Sequence, residues 1–445
     1  MGRVARRTPL FSDLPAEVAV LAAIAFCVAL GFGIVAPAIP IFAREFGVSA
    51  LAAGAVVSAF AFVRLIAAPG AGSLVNRIGE RRVLATGLGI VAVSSFAAGF
   101  AQTYQQLLIM RALGGFGSTM FTVSAMALLL RTVAADQRGR AQGAYQAGFL
   151  FGGVAGPAVG GIVIGISIRA PFLVYSVTLA AATAVCLIWL KDPPPKLDPD
   201  PDPDPDPDPE PDQDPEPVPD TLIPGAPRAT AAPIAAPPPP EDPAAPLPLG
   251  VALRNRAYWA ALATNLGNGF SIFGLRSALV PLFVVEGMRQ GATLAGIGFL
   301  VAAAVQALLL LPAGRMADNR GRRPALIIGG LASVAGMLML AAGVEVWLFI
   351  AAMAVFGISG AFLGPAPAAV VGDVTHGRPG GTVVAAFQMV SDFGAIIGPL
   401  AAGLVLDAAG FGPAFLVGAV IVGLGLVAAL FMPETLRRAP AGAGA

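Results

Sequence analysis

Four ionisable side chains fall inside stretches otherwise apolar enough to cross a bilayer: Arg64, Arg111, Arg276 and Asp392. A charge at that depth is costly, so each is a functional candidate before any fold is considered. Asp392 is the carboxylate of the group and lies six residues before Gly398-Pro399. A carboxylate drawn out of water holds its proton more readily, which suits a proton carrier working near neutrality. A nearby arginine opposes that tendency, so a change in their separation would gate proton release. Arginine itself releases no proton at accessible pH. Arg111 would instead tune an acid, polarise water or attract an anion. Structural alternatives stand beside these roles. Asp392 could bond to Ser391, Gln388 or backbone, Arg111 could donate to helix carbonyls, and Arg276 could reach the interface along its aliphatic stem.

Three buried arginines against one aspartate disfavour a strongly cationic solute and favour neutral, amphipathic or weakly anionic ones. Asn265, Asn268, Gln306 and Gln388, with Ser271 and Ser359, could offer hydrogen bonds to a cavity, although ordinary helix packing is the better explanation of each. Other chemistry is missing: the sequence has no G-x-x-x-x-G-K-[ST] loop, no zinc-ligand spacing and no nucleophile elbow. Cys27 and Cys186 are isolated in apolar stretches and His376 is the single histidine, so neither a disulfide nor a metal site is expected. No cofactor is implied, the chain does not read as an enzyme, and any work it does should draw on an ion gradient.

The elements that must hold these residues follow from composition. Of 445 residues, 56% are apolar and 12% charged, where soluble domains carry about 25% charged residues. The formal net charge of +1 implies no nucleic-acid partner. Apolar runs alternate with short polar loops, the pattern of an all-α polytopic protein whose surroundings are the lipid bilayer. Twelve segments are long enough to span: 18–42, 51–71, 83–101, 107–130, 141–164, 171–190, 258–284, 293–313, 325–342, 347–372, 383–406 and 413–432. The first is too long for a cleaved signal and has Pro37 and Pro40 where a small-residue cleavage site belongs. Arg3, Arg6, Arg7, Arg77, Arg81, Arg82, Arg131, Arg138 and Arg140 fall on one side, and Arg44, Arg169 and Arg289 on the other. The positive-inside rule then places both termini in the cytoplasm, with the chain in the plasma (inner) membrane.

Residues 191–253 break the pattern with alternating Asp-Pro followed by Ala/Pro-rich sequence, and hold more than half of the acids. Such a stretch can neither form a helix nor bury a core, so it reads as a disordered, polyproline-like cytoplasmic spacer between bundles at 1–190 and 254–445. The flanking halves repeat. Gly72, Asn76, Arg77, Gly79, Arg81 and Arg82 align with Gly314, Asp318, Gly321 and Arg323 at an offset of 242, which also pairs Gly156-Pro157 with Gly398-Pro399 and Gly115 with Gly357. The motifs at 72–82 and 314–323 are expected in the loops after the second helix of each half. One offset serving three features indicates duplication: six plus six helices about a pseudo-two-fold axis, with a central cavity. Within 143–161, Gly148, Gly152, Gly156 and Gly160 recur every fourth residue, giving one smooth helix face for close packing, with a bend expected at Pro157.

These motifs resemble those of the major facilitator superfamily. The two Gly72- and Gly314-led motifs resemble its G-x-L-a-D-R-x-G-R-R loop, and Arg111-A-L-G-Gly115-F-Gly117 resembles its fourth-helix R-x-x-q-G-x-G. Gly143-x8-Gly152-x3-Gly156-Pro157-x2-Gly160-Gly161 resembles the antiporter motif of its fifth helix. The resemblance implies the twelve-helix drug/proton antiporter branch: alternating access, export of small amphipathic compounds against protons, a proton-transfer role at the Arg111 position, and a fifth helix that seals the outer side. It departs at Asn76, where the family has an aspartate that latches the closed cytoplasmic face; Asn can cap a helix but offers its dipole no charge. The first helix also lacks the embedded acid of many relatives. The partners implied are a small-molecule substrate and protons, and the protein is expected to act as a monomer. Two other functions fit the sequence: a facilitator-type porter for a sugar or other metabolite, and a non-transporting receptor or scaffold that recruits partners through its acidic spacer.

Overall fold

The computed structural model describes residues 14–133, 137–190, 247–375 and 381–436. All regular structure among them is helical, and twelve helical stretches are long and apolar enough to cross a membrane. Each coincides with a segment read from the sequence. The first span is α1 (Ala16–Val35) followed by α2 (Ala38–Arg44), parted at Pro37, which closes no helical hydrogen bond of its own. Then come α3 (Ala50–Ile78), α4 (Glu80–Gly99), α5 (Tyr104–Thr132), α6 (Arg138–Ile166) and α7 (Ala170–Trp189). Ser49 and Thr103 cap α3 and α5, accepting from the amides of Ala52 and Gln106.

The second half opens with the short α8 (Leu249–Ala252), so residues 247–253, read as the end of the spacer, belong to the folded body: Leu247 and Ala252 are buried in its core. The rest of the spacer, 191–246, lies outside the described residues, as do Arg3, Arg6, Arg7 and His376. The seventh span departs from α geometry. After α9 (Arg256–Gly269) it runs as the π-helix π1 (Phe270–Leu279), α10 (Val280–Leu282) and a second π segment, π2 (Phe283–Gly287). The Ser277 hydroxyl donates to the Ile272 carbonyl, five residues back, at 2.9 Å, matching the widened turn. The chain continues through α11 (Ala292–Arg320), α12 (Arg322–Ala342), α13 (Val346–Leu363), α14 (Ala366–Thr375), α15 (Gly381–Ala409) and α16 (Phe411–Phe431). Trp189, Trp259 and Trp347 stand exposed at helix ends, the place for interfacial tryptophan.

The duplicated polar motifs do not form loops. α3 continues through Gly72 and Asn76 to Ile78, and α11 continues through Gly314 and Asp318 to Arg320. Each connection shrinks to one residue in a glycine-favoured conformation, Gly79 at φ 89° and Gly321 at φ 128°. Pro157 lies within α6, which continues past it.

The glycine face of α6 lies on α1. A Cβ at Gly148, Gly152, Gly156 or Gly160 would come within 2.2, 2.4, 2.6 or 2.9 Å of the carbonyl oxygens of Ala22, Phe26, Leu30 and Ile34. Both helices advance four residues per contact, so the backbones stay in touch along the whole crossing and any side chain there would part them. Gly161 points elsewhere, against Gly296 of α11 in the other half. More contacts between the halves gather near that end. Asp407 of α15 accepts from the Ala50 and Leu51 amides at the start of α3, both at 2.8 Å. Arg44 and Glu286, 242 residues apart, form a two-pronged ion pair at 2.7 and 3.0 Å.

Candidate functional site

Two helix crossings set the site. α5 lies close on α3 at Gly115, where a Cβ would sit 2.4 Å from the Phe60 carbonyl oxygen. Thr119, one turn on, donates to the Arg64 carbonyl at 3.0 Å. Arg111, one turn back, is thereby laid over the Phe60 ring, its guanidinium carbon 4.7 Å from the centroid. α3 also crosses α15. Gly54 faces the Pro399 carbonyl, and Ser58 donates to the Ile396 carbonyl at 2.6 Å. One further step along this antiparallel crossing brings Arg64 and Asp392 to the same place.

That place is a cavity of about 340 Å³. Arg64, Arg111 and Asp392 are the charged residues of its lining. Ser118, Thr122, Gln146, Tyr175 and Ser277 add neutral polar groups, and Phe32, Phe60, Phe121 and Phe149 lead an otherwise aliphatic wall. Among the described residues, only Ser277, Asp392 and Ala395 come from the second half. Arg64 is near enough to act electrostatically on Asp392, and both Arg64 and Arg111 act on Tyr175. Arg111 is 2% exposed and its Nε has no hydrogen-bond partner among the described residues. The arrangement joins a carboxylate able to exchange a proton, a guanidinium from the other half that feels its charge, and a second guanidinium seated on an aromatic ring.

Other sequence candidates lie elsewhere. Arg276 does not reach outward: its guanidinium packs over Phe356, 5.6 Å from the centroid, with its Nε buried. Asn265, Asn268, Gln306 and Gln388 do not line the cavity. Asn265 donates to the Phe387 carbonyl at 2.8 Å, tying α9 to α15. Gln306 packs against Gly360, Asn268 is half-buried and Gln388 is exposed. Gln146 and Tyr175 were not singled out from the sequence. A signal for Gln146 was present: the offset of 242 carries Gln388 onto it, just as it carries Gln306 onto Arg64. Two of the polar positions chosen in the second half thus have first-half counterparts that face the cavity.

The motif residues build the turns at the opposite ends of α3 and α11 from the contacts that join the halves. Arg81 donates to the Leu187 carbonyl at 2.7 Å and Arg323 to the Leu430 carbonyl at 2.5 Å, each bracing the last helix of its half. Asp318 pairs with Arg322, which also reaches Asp373 at 3.2 Å. Arg77 is exposed, the surroundings of Gly72, Gly143 and Gly314 are open, and the Asn76 side chain lies outside the described residues.

The family described as Major Facilitator Superfamily matches residues 21–305 and 268–445 of the chain. Multidrug resistance protein 1 of Bacillus subtilis (strain 168) is 30% identical over 168 residues, covering 38% of this chain and 43% of that protein. Quinolone resistance protein NorA of Staphylococcus aureus (strain Mu50 / ATCC 700699) is 26% identical over 168 residues with the same coverage. The match therefore spans less than half the length of either relative. Among solved structures, the nucleoside transporter NupG superposes with a TM-score of 0.64 over 94% of this chain and 98% of its own, at 13% identity, a likeness of fold.

Proposed function

We propose that this chain, which belongs to the Major Facilitator Superfamily, is a proton-driven exporter of small amphipathic compounds. The superfamily consists of transporters rather than enzymes, and part of this chain is similar to a multidrug resistance protein and a quinolone resistance protein. The observation that carries the finer reading is the meeting of Asp392 with Arg64 in a largely apolar cavity where the two halves touch. A proton taken by Asp392 removes the charge that Arg64 faces across that boundary, so protonation and the relative position of the halves are linked.

In this reading residues 1–190 and 247–445 form the two moving bundles, with 191–246 as a cytoplasmic spacer and both termini cytoplasmic in the plasma membrane. The end joined by Arg44–Glu286, Asp407 and Gly161–Gly296 then faces outward, and the structure corresponds to the outward-closed state. The α1–α6 glycine crossing keeps the first bundle rigid as it rocks.

The test is substrate-triggered proton movement in proteoliposomes loaded with a pH-sensitive dye. The wild type is expected to move protons when an amphipathic substrate is added, and Asp392→Asn is expected to lose that flux. Substrate transport without proton movement in the wild type would instead leave a facilitator. Transport lost on deletion of 199–219 but intact in Asp392→Asn would favour a role centred on the spacer.

A further inference from the structure

The charges of the cavity do not cancel. Asp392 has Arg64 as its counter-charge, whereas no carboxylate of the described residues pairs with Arg111 or acts on it. A guanidinium 2% exposed and short of hydrogen-bond partners is an expensive feature to keep. Phe60 covers one face of it. A ring face attracts the cation but accepts no in-plane hydrogen bond, so the donor edge of the guanidinium is left for something else.

The duplicate half shows that the repeat fold does not require this arginine. Gly115 and Gly357 make the same close approach to the second helix of their halves, each with a would-be Cβ 2.4 Å from a carbonyl oxygen, Phe60 or Ala302. At the position matching Arg111 the second half holds Met353, which is fully buried. The helix crossing therefore forms without a cation at that site.

We propose that Arg111 is the recognition point for an anionic group, a carboxylate or sulfonate, on an aromatic substrate. This rests on the exporter reading and names the charge of what is exported. The planar donor fork of arginine matches a carboxylate edge-on with two parallel hydrogen bonds. Two aromatic pairs line the same cavity, Phe32–Phe60 with centroids 6.3 Å apart and Phe121–Phe149 with centroids 6.2 Å apart, and provide flat walls for the attached ring. With Asp392 ionised, the two arginines and one carboxylate of the lining sum to one net positive charge.

The experiment is equilibrium dialysis of the purified full chain in detergent against 2-naphthoate and 2-naphthamide, which differ in charge and little in shape. The wild type should bind naphthoate at least ~10-fold more tightly, as expected for a desolvated charge-assisted contact. Arg111→Met, which copies the duplicate half, should bind the two alike, and Arg111→Lys should keep part of the preference. Equal binding by the wild type, a preference for the amide, no binding of naphthoate, or a preference that survives in Arg111→Met would each overturn the proposal. The wild-type comparison decides the matter even if a variant fails to fold. Because dialysis needs no gradient, anion selectivity without proton flux would sink the exporter reading alone. Proton-driven export of neutral compounds without anion selectivity would sink this inference alone.

Discussion

The turn at Gly79 and the turn at Gly321 occupy matching positions in the two halves, and an ion pair holds each to the helix before the next turn. In the first half Glu80 accepts from Arg131 at 2.5 Å. In the second, Arg322 reaches Asp373 at 3.2 Å. The offset of 242 places Glu80 on Arg322 and Arg131 on Asp373, so the same bond is made with its charges exchanged. What the fold requires here is an opposite pair, not a particular sign at either position. Further contacts brace the second turn. Glu434 accepts from the amides of Arg322 and Arg323 at 2.8 and 3.1 Å, capping the start of α12, and Asp318 adds a second carboxylate to Arg322.

The strongest way to break this correspondence is Glu80→Arg, which sets two cations together at a position 6% exposed. It should cost about 3 kcal/mol, the low end for breaking a buried pair because Arg131 is partly exposed. Adding Arg131→Asp, which writes the second half's charges into the first, should restore most of that stability. Thermal unfolding in detergent reads both, and failure of the double variant to recover would mean the turns are not interchangeable. Alanine at either glycine comes next. Both backbones lie where L-residues are strained, at about 1–3 kcal/mol each. A Cβ at Gly79 meets open space, whereas one at Gly321 would sit 2.2 Å from the Glu434 carboxylate and displace the cap. Gly321→Ala should therefore be the worse by about 1 kcal/mol, the worth of a cap; an equal loss would show that Glu434 contributes little. The smallest effect is expected for Asp318→Asn, which gives the second turn the residue type of Asn76. Asp318 is 70% exposed and pairs with Arg322 across the Gly321 turn, so the change should stay within about 0.5 kcal/mol in the same measurement.

The charge exchange explains why so much of the fold was legible in the sequence while this bond was not. Aligning the halves rewards identical residues, such as Gly72 with Gly314 or Gly156-Pro157 with Gly398-Pro399, and scores Glu80 against Arg322 as a mismatch. The twelve spans were legible because the bilayer imposes length and apolarity on each separately. Their ends were harder to read. Asn76, Arg77 and Asp318 look like loop residues, yet a helix leaving the membrane keeps its hydrogen bonds while its side chains meet water, so α3 and α11 run on to Gly79 and Gly321. For the cavity, residue type was readable and direction was not. Arg64, Arg111 and Asp392 stand out because charge is rare in such helices, whereas Gln146 and Tyr175 look like any polar group until the crossings of α3, α5 and α15 show which way the helices face.

The Arg44–Glu286 bond joins two positions that the duplication makes equivalent. A contact between equivalent positions lies on the symmetry axis, where an isologous pair of identical halves would set each residue against its own copy. Two arginines or two glutamates there would repel, so no assembly of two identical six-helix units could make this bond. It requires halves that differ in sequence, as these two do, with arginine on one side and glutamate on the other. The pair is in that sense a mark of divergence: it closes the interface and makes the two halves no longer exchangeable.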